Sequence, residues 1–535
     1  VKIRFLIVGL GLLCPWLTVS AQSYVDDALR FSQTGLSGTT RFQAMGGVNT
    51  ALGADLTSVG GNPAGMGFYR KSEWSITPSL NFTNNTGSML NNSLSDGSAF
   101  FSIPNFGLVF SNVRPDTDKS DWRGGTWGFS YNRLQSFNNQ RSYLGGVNRQ
   151  NSIIDYLRST ADQLDIPARE LEVNQDQIGF NVGYNQMLAQ LAYNGFLIDG
   201  LDADRDGKFD PDNYYRSNLS ANFRIGPKNE LIEDPSEVRP SGTIRTTGGN
   251  NQWSFSYGGN YKDKLYIGAT VGLATIRYSE KNDYTESVVS STFSLLDNYT
   301  LTDRLDVSGT GINATLGLIY RINDVVRVGG SFTTPTIYQM TETSSTELLT
   351  NIRNRRAIPN FTTAPSYNLR SVDTDFEYRL TTPLRASLGA AIFLGKLGFI
   401  SGDIEYRPYR AARVNGDFGV SAPGVNQSVV YNNEIRDVYR NLFNFRVGAE
   451  FRYDIFRLRG GVMIQDDPFS KNADNLKRTQ VVYTAGTGVK LNSFFADLAV
   501  GYNTFQQAYT PYPLGPTATF QNRFITTSIT IGSTF

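Results

Sequence analysis

The residues whose spacing suits a ligand are Asp202-Ala-Asp204-Arg-Asp206-Gly207-Lys-Phe-Asp210-Pro-Asp212, with carboxylates at positions 1, 3, 5, 9 and 11 and glycine at 6. That spacing wraps oxygen ligands around a hard cation. A structural calcium ion held by Asp202, Asp204, Asp206, Asp210 and Asp212 is one expectation; a solvated acidic turn is the other. The twelfth position is Asn213, where a bidentate glutamate would bind more tightly, so the expected affinity is modest. Arg353, Arg355 and Arg356, and the pair Asp466 and Asp467, are further charge clusters. A solvated rim accounts for both, and phosphate groups are the ligand the arginines would suit. No cofactor is required. The chain has no histidine, which removes Ser-His-Asp and Cys-His catalysis and every His-ligated metal site. No carboxylate pair stands out for glycoside hydrolysis among so many acids. The chain reads as a non-enzyme.

The elements that would position these residues follow a simple pattern. Residues 1–21 carry Lys2 and Arg4, the apolar run Phe5–Leu13 and the small-residue end Val19-Ser20-Ala21. They read as a secretory signal peptide cleaved after Ala21. Cys14, the single cysteine, falls within it, so no disulfide is expected. Loss of Lys2 and Arg4 takes the formal net charge from +1 to −1, and nothing asks for a nucleic-acid partner.

From Glu73 the sequence alternates strictly, with Trp74, Ile76, Pro78, Leu80 and Phe82 opposing Glu73, Ser75, Thr77, Ser79 and Asn81. Period two predicts a strand. The pattern recurs at 253–261, 445–453 and 498–503. Tyr 28 and Phe 34 alongside only 40% hydrophobic residues suit strands that are apolar on one face. Predicted strands lie at 73–84, 98–111, 124–137, 249–262, 264–280, 300–321, 325–341, 370–394, 397–413, 442–453, 455–466, 478–490, 493–505 and 521–535, an even set of fourteen. Alternate connections are tight, as at Lys262-Asp263-Lys264, Gly395-Lys396 and Asp454, with 112–123 the exception. The others are long: 85–97, 138–248, 281–299, 342–369, 414–441, 467–477 and 506–520. Short turns at one end and long loops at the other predict a 14-stranded antiparallel transmembrane β-barrel. The final strand sets Ile525, Ile529, Ile531 and Phe535 on one face. No run reaches the roughly 18 apolar residues of a spanning helix.

Arg41–Met66, RFQAMGGVNTALGADLTSVGGNPAGM, breaks the pattern: glycine-dense, apolar, too irregular for a strand or a long helix. Pro63 fixes one φ and biases Asn62 away from the helical region. A compact plug is expected. Its GG, ALG-D and NPAG(M) order resembles the N-terminal hatch of the FadL/OmpP1/TodX-type family of outer-membrane transporters for long-chain fatty acids and other hydrophobic compounds. Gly311–Thr336, Leu380–Val414 and Asn444–Val462 resemble that family's strand-turn-strand units. The resemblance implies a hatch at 22–72 inside a barrel at 73–535, with Gly46, Gly47, Asn62, Pro63, Ala64 and Gly65 at the hatch. It implies a monomer in a Gram-negative outer membrane, in contact with lipid and lipopolysaccharide, that takes up a hydrophobic ligand passively.

Two further features bear on that reading. In the long loop 138–248, Ile153, Ile154, Leu157, Ala161 and Leu164, and then Leu188, Leu191, Ala192 and Phe196, fall at helical spacing. These helices either form an outer groove, as the family's loop helices do, or pack on each other. Pro104 interrupts the second strand beside Gly124, Gly125 and Gly128 of the third, which invites either a gap or a bulge. Members of the family have a lateral window at the third strand, so these four residues are the expected opening. A PorV-like structural or shuttle subunit of a secretion system and, more remotely, an outer-membrane lipolytic enzyme are the alternatives.

Overall fold

The computed structural model describes residues 24–115, 117–149, 151–200, 215–219, 223–225, 231–233, 237–289, 294–353, 365–418, 426–470 and 475–535. The stretch read as a signal peptide and the acidic loop Asp202–Asp212 lie outside the described residues.

Fourteen antiparallel strands form one closed barrel. They are β1 (Glu73–Met89), β2 (Asn92–Val113), β3 (Trp122–Ser136, continued by Asn139–Leu144), β4 (Val238–Tyr261), β5 (Leu265–Val288) and β6 (Leu296–Arg321). β7 comprises Val326–Thr333 and Ile337–Ile352, β8 comprises Ser366–Arg370, Thr374–Thr381 and Arg385–Phe393, and β9 comprises Gly398–Pro408 and Arg413–Gly416. β10 (Asn441–Tyr453), β11 (Phe456–Gln465), β12 (Gln480–Lys490), β13 (Phe494–Tyr509) and β14 (Ala518–Thr534) complete the ring. β14 closes on β1 in register from Glu73↔Thr534 to Ser88↔Thr519.

Alternation fixes which way each strand faces. Trp74, Ile76, Leu80 and Phe82 of β1 are exposed while Ser75, Thr77 and Ser79 between them are buried; Phe443, Phe445, Val447 and Phe451 of β10 are exposed while Asn444 and Glu450 are buried. Polar side chains therefore line the bore and the apolar ones face out, with Trp127 at 64% exposure. An apolar belt of that extent is stable against lipid and not against water. No described helix is long and apolar enough to cross a membrane.

The alternate tight turns occur at 262–264, 322–325, 394–397, 454–455 and 491–493, with 114–121 the longer exception. The expected loop at 85–97 does not exist. β1 and β2 stay paired to Met89↔Asn92 and turn through Leu90 and Asn91, both at positive φ. Such a two-residue turn matches the twist of a hairpin, and the polar run 83–98 hid it. The predicted single strands at 325–341, 370–394 and 397–413 are each broken, next to Pro335, Pro383 and Pro408, because proline cannot donate to a ladder.

At the long-loop end, helices α3 (Ile153–Leu164) and α4 (Tyr184–Asn194) sit on the rim, with α1 (Tyr24–Arg30) and α2 (Thr40–Ala44) preceding the barrel. α5 (Gln427–Val438) lies in the connection after β9. Ile153, Ile154, Leu157 and Ala161 are buried together with Leu188, Leu191 and Ala192, and with Tyr284, Tyr299 and Leu348 of the wall. The apolar faces pack on each other and on the rim, the second of the two arrangements the spacing allowed. The fastening is Glu286, fully buried on β5. It accepts from Ser152 Oγ at 2.6 Å, Ile153 N–H at 3.1 Å and Tyr284 Oη at 2.6 Å, and also from Tyr299 Oη. Ser152 and Asp155 form a capping box at the start of α3, so this carboxylate meets the positive end of a 12-residue helix.

Candidate functional site

Residues 24–72 lie inside the ring. They touch the inward faces of strands on opposite sides: Thr40 N–H donates to Thr530 Oγ1 of β14, Gly46 N–H to Thr484 Oγ1 of β12, Asn49 and Thr50 N–H to Asp403 of β9, and Ser256 Oγ of β4 to Val59 O. Local capping shapes the segment. Thr39 caps α2 and also donates to Asp55, which caps the 3-10 turn Leu56–Val59. Asn62 caps Pro63–Phe68 through Ala64 N–H, with Pro63 at the first helical position, where its missing N–H costs nothing. The Asn62 amide also donates to Thr50 O at 2.6 Å.

The wall accommodates this backbone with glycines that pair across the ladder. Gly258, Gly268 and Gly317 sit side by side on β4, β5 and β6. A Cβ on Gly268 would stand 2.4 Å from Pro63 C, and one on Gly317 2.0 Å from Asn62 Oδ1. Gly448 and Gly461, paired on β10 and β11, receive Met45, and Gly329 and Gly389, paired on β7 and β8, receive Thr50. Gly46 and Gly47 hold φ of 65° and 81°, and a Cβ on Gly46 would stand 2.8 Å from Val462 N. Gly65 packs on Ser58. The six predicted hatch residues are thus within the bore. The barrel glycines that seat them were not anticipated, although each falls where an inward side chain is due in an otherwise alternating strand.

Buried ion pairs tie segment to wall. Glu450 of β10 accepts from Arg41 at 3.3 Å, Arg452 at 2.7 Å and Arg459 at 2.8 Å, and Arg459 reaches Asp497 at 2.5 Å. Burial alone would lower the pKa of Arg41, but Glu450 and Asp55 hold it above the usual arginine value. Higher in the bore, Arg407 donates to Glu405 at 2.8 Å and to Ser32 O at 3.1 Å. Asp27 of α1 accepts from Tyr378 Oη at 2.9 Å and pairs with Arg30 at 2.5 Å. Burial raises the Asp27 pKa, against the pull of Arg30.

Between this segment and the rim cap lies a cavity of about 650 Å³. Asp26, Arg30, Leu36, Tyr278, Met463 and Tyr509 are among its lining residues, a mixture of apolar and polar groups. The cavity reaches both lips of a discontinuity in the wall. β2 and β3 pair from Val113↔Gly124 only as far as Asn105↔Asn132, where Asn105 Nδ2 donates to Asn132 Oδ1 at 2.6 Å. Beyond that point β2 pairs with β1 alone, and Arg133, Gln135 and Ser136 of β3 pair with β4 alone. Phe100, Ser102 and Pro104 form one lip and Arg133–Asn139 the other. The upper end is closed by Gln140 and Ser142 donating to Asp96, both at 2.7 Å. Pro104 and Pro78 drop out of register together between Ile76 and Leu80, so the seam begins at the middle of the outer apolar belt. From inside, Gly35 N–H donates to Leu134 O at 2.9 Å, taking the place of a β2 partner.

Pro104 stands where pairing stops, as a residue without an N–H should. Gly124, Gly125 and Gly128 do not flank the seam. All three sit in the closed part of the ladder, opposite Val113, Asn112 and Val109. Gly128 makes room for Met66 and Val59 of the inner segment, and Gly125 for the ring of Tyr257. At the rim, Arg353 pairs with Asp297 at 2.8 Å and Asp466 with Arg440 at 2.8 Å; Arg355 and Arg356 lie outside the described residues.

No family model and no curated protein matches the sequence. Solved structures do match in fold. A Pseudomonas aeruginosa FadL homologue is 12% identical with a TM-score of 0.50, covering 94% of this chain and 99% of its own. The P. putida toluene transporter TodX is 12% identical with a TM-score of 0.51, with the same coverage. The chain therefore has the fold of the FadL-type hydrophobic-compound channels over nearly its whole length.

Proposed function

We propose that this protein passes hydrophobic or amphipathic small molecules, long-chain fatty acids among them, across a Gram-negative outer membrane without chemistry. Cargo occupies the 650 Å³ cavity and leaves sideways through the β2–β3 seam into the lipid. The observation that carries the reading is that both lips of the unpaired seam line the cavity while the seam itself starts within the apolar belt. The matched structures, a FadL homologue and a toluene transporter, support it by fold. Residues 24–72 act as the hatch that keeps the bore closed toward the short-turn end. The barrel works as a monomer, and a calcium ion at Asp202–Asp212 braces the outer loop.

The test is to fill the seam. Ser136 is half-buried on the β3 lip and its hydroxyl has no hydrogen-bond partner. Ser136→Trp is expected to cut uptake of a radiolabelled long-chain fatty acid or of toluene by about tenfold, with a folded barrel retained on heat-modifiability gels; a single order of magnitude is what about 1.4 kcal/mol of added barrier produces. Uptake at the parent rate would count against the seam as the way out. Mass spectrometry of compounds extracted from the purified barrel identifies the cargo.

A further inference from the structure

The wall is interrupted a second time, between β9 and β10. Their ladder runs from Gly398↔Phe451 to Pro408↔Asn441 and stops. The continuation Arg413–Gly416 pairs only with β8, so its other edge presents free backbone groups. A buried edge of that kind needs partners. It receives them from side chains of α5: Asn432 Oδ1 accepts from Val414 N–H and Asn432 Nδ2 donates to Val414 O, both at 2.9 Å, and Ser428 Oγ bonds Gly416 N–H and O at 3.3 and 3.2 Å. A helix here does the work of a strand.

α1 of the bore segment lies directly behind that helix. Tyr24 packs on Tyr431 with ring centroids 5.3 Å apart, Tyr439 Oη donates to Val25 O at 3.0 Å, and Val25, Ala28 and Ile435 share one buried cluster. Behind α1 is the cavity, whose lining includes Asp26, Asp27 and Arg30. The break lies above the apolar belt. The last large exposed apolar residues on these two strands are Ile404 and Phe443, whereas the outer face of α5 mixes Val429 and Val430 with Asn433, Glu434, Arg436 and Asp437. It faces water.

We propose that α5 is a removable panel over a second opening, the inlet through which cargo passes from the aqueous side into the cavity, with α1 moving behind it. The proposal rests on the transport reading and supplies its missing half. Elsewhere on the long-loop side the described residues close the bore with the buried core of α3 and α4. The panel is held differently at its two ends. Its C-terminal end is anchored by backbone bonds, Ser470 N–H to Val438 O at 2.7 Å and Arg440 N–H to Pro468 O at 2.9 Å, whereas its N-terminal half is held on the wall by Ser428 and Asn432. Besides these bonds the helix packs on α1 through Ile435 and through the Tyr431 ring, which meets Tyr24 and Phe418. Because α1 moves with it, a few side-chain bonds and ring contacts give way more readily than a strand ladder, so the helix swings about Val438. The same segment that backs the panel continues to Gly35 at the seam, where it bonds Leu134. One strap thus runs from inlet to outlet.

The experiment uses the full barrel in outer-membrane vesicles. Its only natural cysteine is Cys14, within residues 1–21. A reporter, Val25→Cys, is placed under the panel and challenged with a sulfonated maleimide from outside. Adding Asn432→Ala, which leaves Val414 N–H and O unpaired, is expected to speed labelling about tenfold, and Asn105→Ala at the foot of the seam is expected to leave it unchanged. Labelling that ignores Asn432→Ala, or that rises equally with Asn105→Ala, overturns the panel. If Val25→Cys does not fold, Ala28→Cys carries the same comparison. Fatty-acid uptake is measured in parallel. Unaltered labelling with intact uptake removes the inlet and leaves transport standing, whereas absent uptake in the parent removes the transport reading while labelling still decides whether α5 moves.

Discussion

Substituting Gly268 tests whether the bore segment is seated by the wall's glycines. An alanine Cβ there falls 2.4 Å from Pro63 C, 2.5 Å from Pro63 O and 2.7 Å from Ala64 N. All three are backbone atoms, so no rotamer change relieves the clash. The wall cannot yield either, because β5 is laddered on both sides along its full length. The Asn62–Ala64 turn must therefore retreat by about 1 Å, a displacement of the kind that costs about 1–3 kcal/mol in a packed interior. It also strains the Asn62 amide bond to Thr50 O and its cap on Ala64 N–H, which adds about 1 kcal/mol. The sum, about 2–4 kcal/mol, predicts amide exchange some thirty- to a thousandfold faster across 56–69, at about 1.4 kcal/mol per decade. Hydrogen-exchange mass spectrometry reads that segment directly. Gly402→Ala is the control: its nearest atom is Arg446 O at 3.7 Å, ordinary contact, so exchange should match the parent. If Gly268→Ala exchanges like the parent, or both variants exchange alike, the glycines do not seat the segment.

Three further outcomes are expected. Glu450→Gln leaves Arg41 with only Asp55, at 3.9 Å, and Arg459 with only Asp497, and should lower barrel stability by about 3 kcal/mol, read by urea unfolding, with loosening concentrated at 41–55. Glu286→Ala strands the donors of Ser152, Ile153 and Tyr284; the α3–α4 cap should lose about 2–4 kcal/mol and be cut by protease within 151–200 while the barrel survives. Asp27 has its pKa raised on docking, so the docked form binds the proton more tightly. Docking of α1 should weaken as pH rises from the ordinary carboxylate value through the raised one, and Asp27→Asn should reduce that dependence, leaving the part due to Asp26, which burial also raises, as followed by amide exchange at 24–31.

Strand existence and orientation were legible because one face of each strand meets lipid and the other a polar bore, which writes period two into the sequence at Trp74–Phe82 and Phe443–Phe451. Ends were not legible where that contrast fades. Above the belt both faces are polar, so a stretch such as 83–98 reads as loop although its ladder persists to Met89↔Asn92. The NPA turn stood out through its own residue types, whereas its glycine seats lie far apart in sequence on three strands, β4, β5 and β6, and only the register brings them together. Pro104 marked the seam because a missing N–H is a local property. The three glycines of β3 misled for the same reason in reverse: glycine reports only that something approaches closely, and there it is Met66, Val59 and Tyr257, not a gap.

The energetics of the bore decide between an axial and a sideways route. To open the barrel along its axis the inner segment must leave its glycine seats, break Arg41 from Glu450 and vacate the Asp403 acceptor for Asn49 and Thr50. Glu450 keeps Arg452 and Arg459 when Arg41 leaves, so that step costs about 1.5–3 kcal/mol, the range for a hydrogen bond to a charged group. At about 1.4 kcal/mol per decade it alone restricts the open population to roughly one part in ten to one part in a hundred, before any seat is counted. A passive channel has only the cargo gradient to draw on. Along the side, by contrast, the β2–β3 lips share no backbone ladder above Asn105; Gly35 bonds Leu134 from inside, and the upper end is held by Gln140 and Ser142 on Asp96, by Asn85 on Asn139 and Gln140, and by one backbone bond from Gly146 to Met89. The lower barrier therefore lies through the seam, and a variant that loosens the lower half of the segment, such as Glu450→Gln, should leave the rate of fatty-acid uptake nearly unchanged in barrels that remain folded. A large rise in uptake would mean that the axis, not the seam, carries the cargo.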